Sequence, residues 1–142
     1  MKIVICGSST FKEKMLEYSD KLEKLGHEPI FHPDYRAFVN GEKKEIWNQV
    51  TKGEHYKAKK EQGYIKWYYN QIYNADAILV LNFDKKNIKN YIGGNTLMEI
   101  GFAYVNDKKV FLLNDVPQEL SYYDETMAMY DVVLNDDLSK IV

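Results

Sequence analysis

Glu99 is the residue whose surroundings best suit it to nucleophilic chemistry. An apolar run, Ala77–Leu81, is followed by a loop holding Gly93, Gly94 and Asn95, and then by the helical pattern Thr96–Val105. This order reads as a buried strand leaving the core and entering a helix that carries Glu99 in its first turn. A helix N-terminus presents unpaired N–H groups and the positive end of the helix dipole, so an acid there is held ionised and aimed above the sheet. The same residues have a structural reading. Thr96 and Glu99 have the spacing of a capping box, in which each side chain satisfies the other residue's backbone N–H. Local sequence leaves both readings open.

A second small-residue loop, Gly7-Ser8-Ser9-Thr10, follows the apolar run Ile3–Cys6. Glycine there permits close approach of the backbone to a ligand, and the helix beyond it offers N–H donors to an anion. These loops matter only if the fold brings them together, and the elements around them say that it does. Ile3–Cys6, Ala77–Leu81 and Val110–Leu113 are apolar without alternation, as in parallel strands covered on both faces. Met15, Tyr18, Leu22 and Leu25 recur at helical spacing and Gly26 closes that helix, while Thr10 and Glu13 form a second capping box at its start. Glu28–His32 reads as a strand stopped by Pro33.

Further along, Tyr64–Asn74 and Gln118–Met129 read as helices, Asp131–Leu134 as a fifth strand and Asp136–Ile141 as a terminal helix. The segment 34–62 is polar and lysine-rich, with Ile46, Trp47, Val50 and Tyr56 as sparse apolar positions and Gly53 as a break. It predicts a short helix and mobile loops over the sheet's edge. Strands alternating with helices predict one α/β domain over residues 1–142, a flavodoxin-like, doubly wound parallel sheet of order 2-1-3-4-5. In that order the ligand crevice lies between strands 1 and 3, where both small-residue loops emerge.

Composition narrows the function classes. With 19 basic and 21 acidic residues, no charge excess points to nucleic acid or to a membrane surface. No apolar run reaches the roughly 18 residues of a membrane span, and the start of the chain does not resemble a secretion signal. Cys6, the only cysteine, lies in an apolar run and reads as a buried, inert thiol. A cytoplasmic protein is therefore expected. No metal or organic cofactor is expected either, because no His/Cys/carboxylate cluster has ligand spacing.

Cys6-Gly7-Ser8 at the end of the first strand, Asn74–Ala77 entering the third, Glu99–Tyr104 after a small-residue loop and Lys108–Leu112 leading into the fourth together resemble the nucleoside 2-deoxyribosyltransferase family. They also resemble its relatives, the 2′-deoxynucleoside 5′-monophosphate N-hydrolases. The resemblance implies cleavage or transfer at the N-glycosidic bond of a nucleoside or its 5′-monophosphate. Glu99 matches the family's nucleophile, which attacks the anomeric carbon as the base departs; the sugar ester is then resolved by water or by a second base. Where the family carries an aspartate for the departing base, this chain has Tyr68, which takes the second catalytic position, with Tyr69 and His32 as other candidates. Where the transferases carry an aspartate at the sugar's 5′ end, this chain has Gly93. Gly93-Gly94 would admit a phosphate and donate N–H groups to it, and Lys86 and Lys89 on the same loop add positive charge. The substrate-binding set is Gly7, Ser8, Ser9, His32, Asn82, Gly93, Gly94, Asn95 and Tyr123.

Twelve tyrosines and a helix from Thr96 that is apolar nearly all round call for burial beyond the sheet. A homodimer or higher homo-oligomer is the expected solution. The resemblance implies that each site is completed by a neighbouring subunit, with Ser121–Glu125, and Tyr123 within it, as the contributing segment. A second reading stands beside the enzyme: a sensor or sequestering protein that binds a nucleotide without cleaving it.

Overall fold

A computed structural model describes residues 1–142. Five parallel strands, β1 (Lys2–Gly7), β2 (Glu28–Ile30), β3 (Ala77–Leu81), β4 (Lys109–Leu112) and β5 (Val132–Val133), form one sheet in the order β2-β1-β3-β4-β5. The predicted order is the observed one. β1 and β3 are in register up to the pair Gly7↔Leu81, so both strands end level at the C-terminal edge of the sheet. The loops after them therefore start side by side. Gly7 suits this pairing, since a Cβ there would lie 3.0 Å from the Leu81 carbonyl oxygen and would press on the neighbouring strand.

The unalternated apolar runs are explained by burial on both faces. Ile3, Ile5, Leu79 and Leu81 point to one layer, where Met15, Tyr18 and Leu22 of helix α1 (Lys12–Lys24) meet them. Val4, Cys6, Ile78 and Val80 point to the other, against Tyr68 and Ile72 of α5 (Tyr64–Tyr73) and Ile100 and Ala103 of α6 (Gly94–Val105). Each such large apolar side chain contributes about 1.5–3 kcal/mol on burial. Helix α1 ends as predicted at Gly26, whose φ of 85° lets His27 N–H donate to the Leu22 carbonyl and Gly26 N–H to that of Glu23.

Several local readings are corrected. The segment 34–62 is not loop-dominated: it folds as α2 (Pro33–Val39), α3 (Lys44–Thr51) and α4 (His55–Glu61). These helices are only 7, 8 and 7 residues long and bury little, Asp34 and Phe38 from α2 and Ala58 from α4, so few apolar positions mark them in the sequence. Pro33 opens α2 at its first position, where a missing N–H costs nothing. α3 is held over the turn after β1 by Lys12, whose ammonium lies 4.4 Å from the Trp47 ring centroid, and by Trp47 packing on Phe38. The second strand stops at Ile30, two residues short of His32. Helix α7 begins only at Tyr123, and the chain's end makes one 3₁₀ turn, Leu138–Lys140, capped by Asp137.

Neither predicted capping box forms. Ser8 caps a 3₁₀ turn, Ser9–Phe11, by accepting from Thr10 N–H, and this turn leads directly into α1. Gly93 occupies the N-cap of α6 without a side-chain cap, so Thr96 is the third helical residue and is buried. Glu99 consequently sits in the second turn rather than the first.

Candidate active site

A cleft of about 420 Å³ opens at the C-terminal edge of β1 and β3, at the switch point of the strand order. Its floor is built by the turn after β1 and by the first two turns of α6. Gly7, Ser8, Ser9, Gly93, Gly94 and Asn95 all line it, as do Glu99, Tyr68 and His32. No side-chain atom would meet a Cβ placed on Gly94, so the backbone there is open to a ligand.

The charge state of Glu99 departs from the sequence expectation. Burial pushes its carboxyl up from 4.5 to about 8, against the opposing pulls of a hydrogen bond from the Cys6 thiol and the charge of Lys59. A second-turn position gains little from the helix dipole, whose effect fades within the first turn, so desolvation dominates. Tyr35 and Tyr68 border the same carboxyl, and burial first, then neighbouring groups including Glu99, push both phenols well above the ordinary tyrosine range. Tyr68 is 5% exposed, and its hydroxyl accepts from His32 N–H at 3.2 Å. That arrangement suits a positioning role better than proton transfer.

A cationic rim lies above the carboxyl. The loop after β3 makes a two-residue turn in which Lys86 and Asn87 both take left-handed φ values, 54° and 58°, closed by paired backbone bonds between Lys85 and Ile88. Such a turn matches a type I′ hairpin. A lysine in this region costs about 1–2 kcal/mol, a cost that places Lys85 and Lys86 beside the cleft. Their ammonium groups lie 5.8 and 5.5 Å from the Tyr91 ring centroid, and Lys85 donates to Ser8 Oγ at 2.6 Å. Lys59 of α4 joins them. None of the three is ion-paired with a carboxylate. Burial, then the charges of Lys86 and Lys59, hold the Lys85 ammonium below the usual lysine range. Of these, sequence reasoning singled out only Lys86; Lys89 does not line the cleft.

The wall from β2 to α5 holds a polar cluster that the sequence did not signal. Asp34 is 5% exposed and accepts from Lys43 Nζ at 2.6 Å and Tyr64 Oη at 2.7 Å. Burial works to raise its pKa, but these two hydrogen bonds outweigh it and hold the carboxyl below its ordinary value. His32 caps α2: its Nδ1 accepts from Asp34 N–H at 3.0 Å. Burial lowers the imidazole's affinity for a second proton.

Two predicted substrate contacts lie elsewhere. Asn82 is fully buried and ties β3 to the end of β4: its amide donates to the carbonyls of Asn114 and Asp115, and its Oδ1 accepts from Asn114 N–H. Its hydrogen-bonding capacity is used inside the scaffold. Tyr123 stands at the start of α7, outside the cleft of its own chain.

The fold and cleft define a doubly wound α/β protein with a carboxyl-floored, lysine-rimmed pocket at its switch point. No protein-family model matches the chain, and no curated protein matches it in sequence. Among solved structures it is similar to a CMP N-glycosidase of Clostridium botulinum, BcmB, with a TM-score of 0.50 and 18% identity over 93% of this chain and 84% of that one. A likeness at this identity establishes the common fold.

Proposed function

We propose that the protein cleaves, or transfers at, the N-glycosidic bond of a nucleoside 5′-monophosphate, with Glu99 as nucleophile. The observation that carries this reading is the Glu99 carboxyl on the cleft floor beneath three lysines without carboxylate partners. A phosphate dianion entering from the Lys85–Ser8 side would meet those ammonium groups and the open backbone at Gly94. The sugar would then span the distance to the floor, and the base would face the aromatic and polar wall of Tyr35, Tyr64, Asp34 and His32. The Clostridium botulinum neighbour, named for the same bond in CMP, supports the choice of substrate class.

The expected test outcome is release of free base from one member of a panel of ribo- and deoxyribonucleosides and their 5′-monophosphates, detected by chromatography and absent with Glu99→Ala. Release from nucleosides but from no monophosphate would refute the phosphate assignment. One observation favours a second reading, nucleotide binding without turnover: a carboxyl titrating near 8 is largely neutral at physiological pH. A thermal shift with a monophosphate and no base release at any pH would select it.

Oligomerisation belongs to the same proposal. Tyr73, Tyr104 and Val105 are 56, 52 and 71% exposed on the packed pair α5 and α6, and this apolar surface runs into the cleft rim through Ile65, Met98 and Phe102. A symmetric dimer on this face would cover the patch and border the cleft. Ser121–Glu125, with Tyr123, is the segment it would offer to the neighbouring subunit.

A further inference from the structure

We infer that His32, rather than Tyr68, assists the departing base, by donating its Nε2–H to an acceptor atom of the nucleobase; this rests on the glycosidase reading above. Three features of the cleft wall lead to it. First, the tautomer is set. Nδ1 accepts from Asp34 N–H, so a neutral ring carries its proton on Nε2. Second, the ring is immobilised, edge-on to Tyr64 at 4.8 Å and to Trp67 at 4.7 Å. Its own backbone N–H is engaged by Tyr68.

Third, Nε2 makes no hydrogen bond within the protein, yet no buried side-chain nitrogen or oxygen lacks a partner. The side chain is 12% exposed, and it lines the cleft. Nε2–H therefore reaches the cleft as a free donor. Three of its neighbours have none to give. Asp34 is ionised and both its oxygens are occupied, and Tyr64 spends its proton on Asp34. The Tyr68 hydroxyl is buried against Tyr35 and the backbone of His32.

The chemistry balances without proton transfer from the protein. A Glu99 carboxylate oxygen forms a bond to C1′ as the C1′–N bond breaks, and the bonding pair leaves with the base. The negative charge spreads to a ring nitrogen or carbonyl oxygen, where a fixed N–H donor stabilises it, and the base anion then takes a proton from water. Water, or a second base, later attacks C1′ and releases the Glu99 carboxylate.

Two substitutions separate this role from the helix cap. His32→Asn retains an acceptor at the cap position, since asparagine is a strong N-cap, but removes the Nε2 donor. His32→Gln carries an amide N–H toward the Nε2 position and forfeits the cap. Each would be assayed on the cleaved nucleoside monophosphate and on the matching sugar 5-phosphate bearing p-nitrophenolate, a leaving group that needs no stabilisation. His32→Asn is expected to lower kcat on the nucleotide by about 10²–10³-fold and on the nitrophenyl compound by less than about fivefold, while His32→Gln recovers at least tenfold on the nucleotide despite its lower thermal midpoint. Glu99→Ala silences both substrates. Equal effects of His32→Asn on both substrates, or on neither, would overturn the inference while Glu99 dependence leaves the glycosidase reading intact. A parent protein that releases neither base nor nitrophenolate would remove both.

Discussion

Replacing Glu99 by Gln swaps a titratable carboxyl for a neutral group of the same shape, and the two proteins should differ chiefly in how their stability depends on pH. Burial raises the carboxyl from 4.5 to about 8. Between those values the folded protein holds a proton that the unfolded chain has released, so the unfolding free energy falls as pH rises through that window and levels off above it. One pKa unit is worth about 1.4 kcal/mol, so the whole shift sets a ceiling of roughly 5 kcal/mol. Glu99 still faces a cleft open to water, and solvent relaxation reduces the expected difference to about 2–3 kcal/mol. Urea denaturation followed by circular dichroism at about pH 5, 7 and 9 measures it. Parent and Glu99→Gln should lie within about 1 kcal/mol of each other at the acid end, with the variant more stable by about 2–3 kcal/mol at the alkaline end. The same ionisation should make the parent's kcat/KM rise with pH up to about 8. A stability difference that stays constant across this range would refute the reasoning, because it would mean that Glu99 is ionised throughout.

Lys85→Ala removes the donor to Ser8 Oγ and one charge from the rim; KM for a 5′-monophosphate should rise by about tenfold, equivalent to about 1.4 kcal/mol, with activity on the nucleoside unchanged in steady-state assays. Asn82→Leu removes the buried amide whose three hydrogen bonds hold the half-buried backbone of Asn114 and the carbonyl of Asp115 to β3. It should lower the unfolding free energy by about 2–4 kcal/mol in denaturant titration, while the remaining folded protein keeps the parental kcat. Val105→Asp places a charge on the exposed face of α6, and sedimentation should show a dimer converted to a monomer with its helical content retained.

The order of the sheet and the location of the cleft were legible in the chain, because continuous apolar runs encode strands covered on both sides. Gly7–Thr10 and Gly93–Asn95 follow two of those strands, and the crossover rules then bring these loops to one edge. Glu99 could be assigned to that crevice on the same grounds. Of the helices α2–α4 only one short helix was legible, since segments of 7 or 8 residues that bury only Asp34, Phe38 and Ala58 offer few apolar positions to read, and a histidine is not a usual helix cap. Asn82 shows the limit from the other side: beside a strand-3 loop it reads as a ligand contact, until Asn114, brought alongside by β4, takes up its amide. The charge of Glu99 was likewise decided by tertiary structure. Local position argues for an ionised acid, but Cys6, Tyr35, Tyr68 and Lys59 come from four other parts of the chain to enclose it. Periodicity records which residues turn toward the sheet. Desolvation and hydrogen-bond pairing depend on which distant groups arrive there, and that is set only when the elements pack.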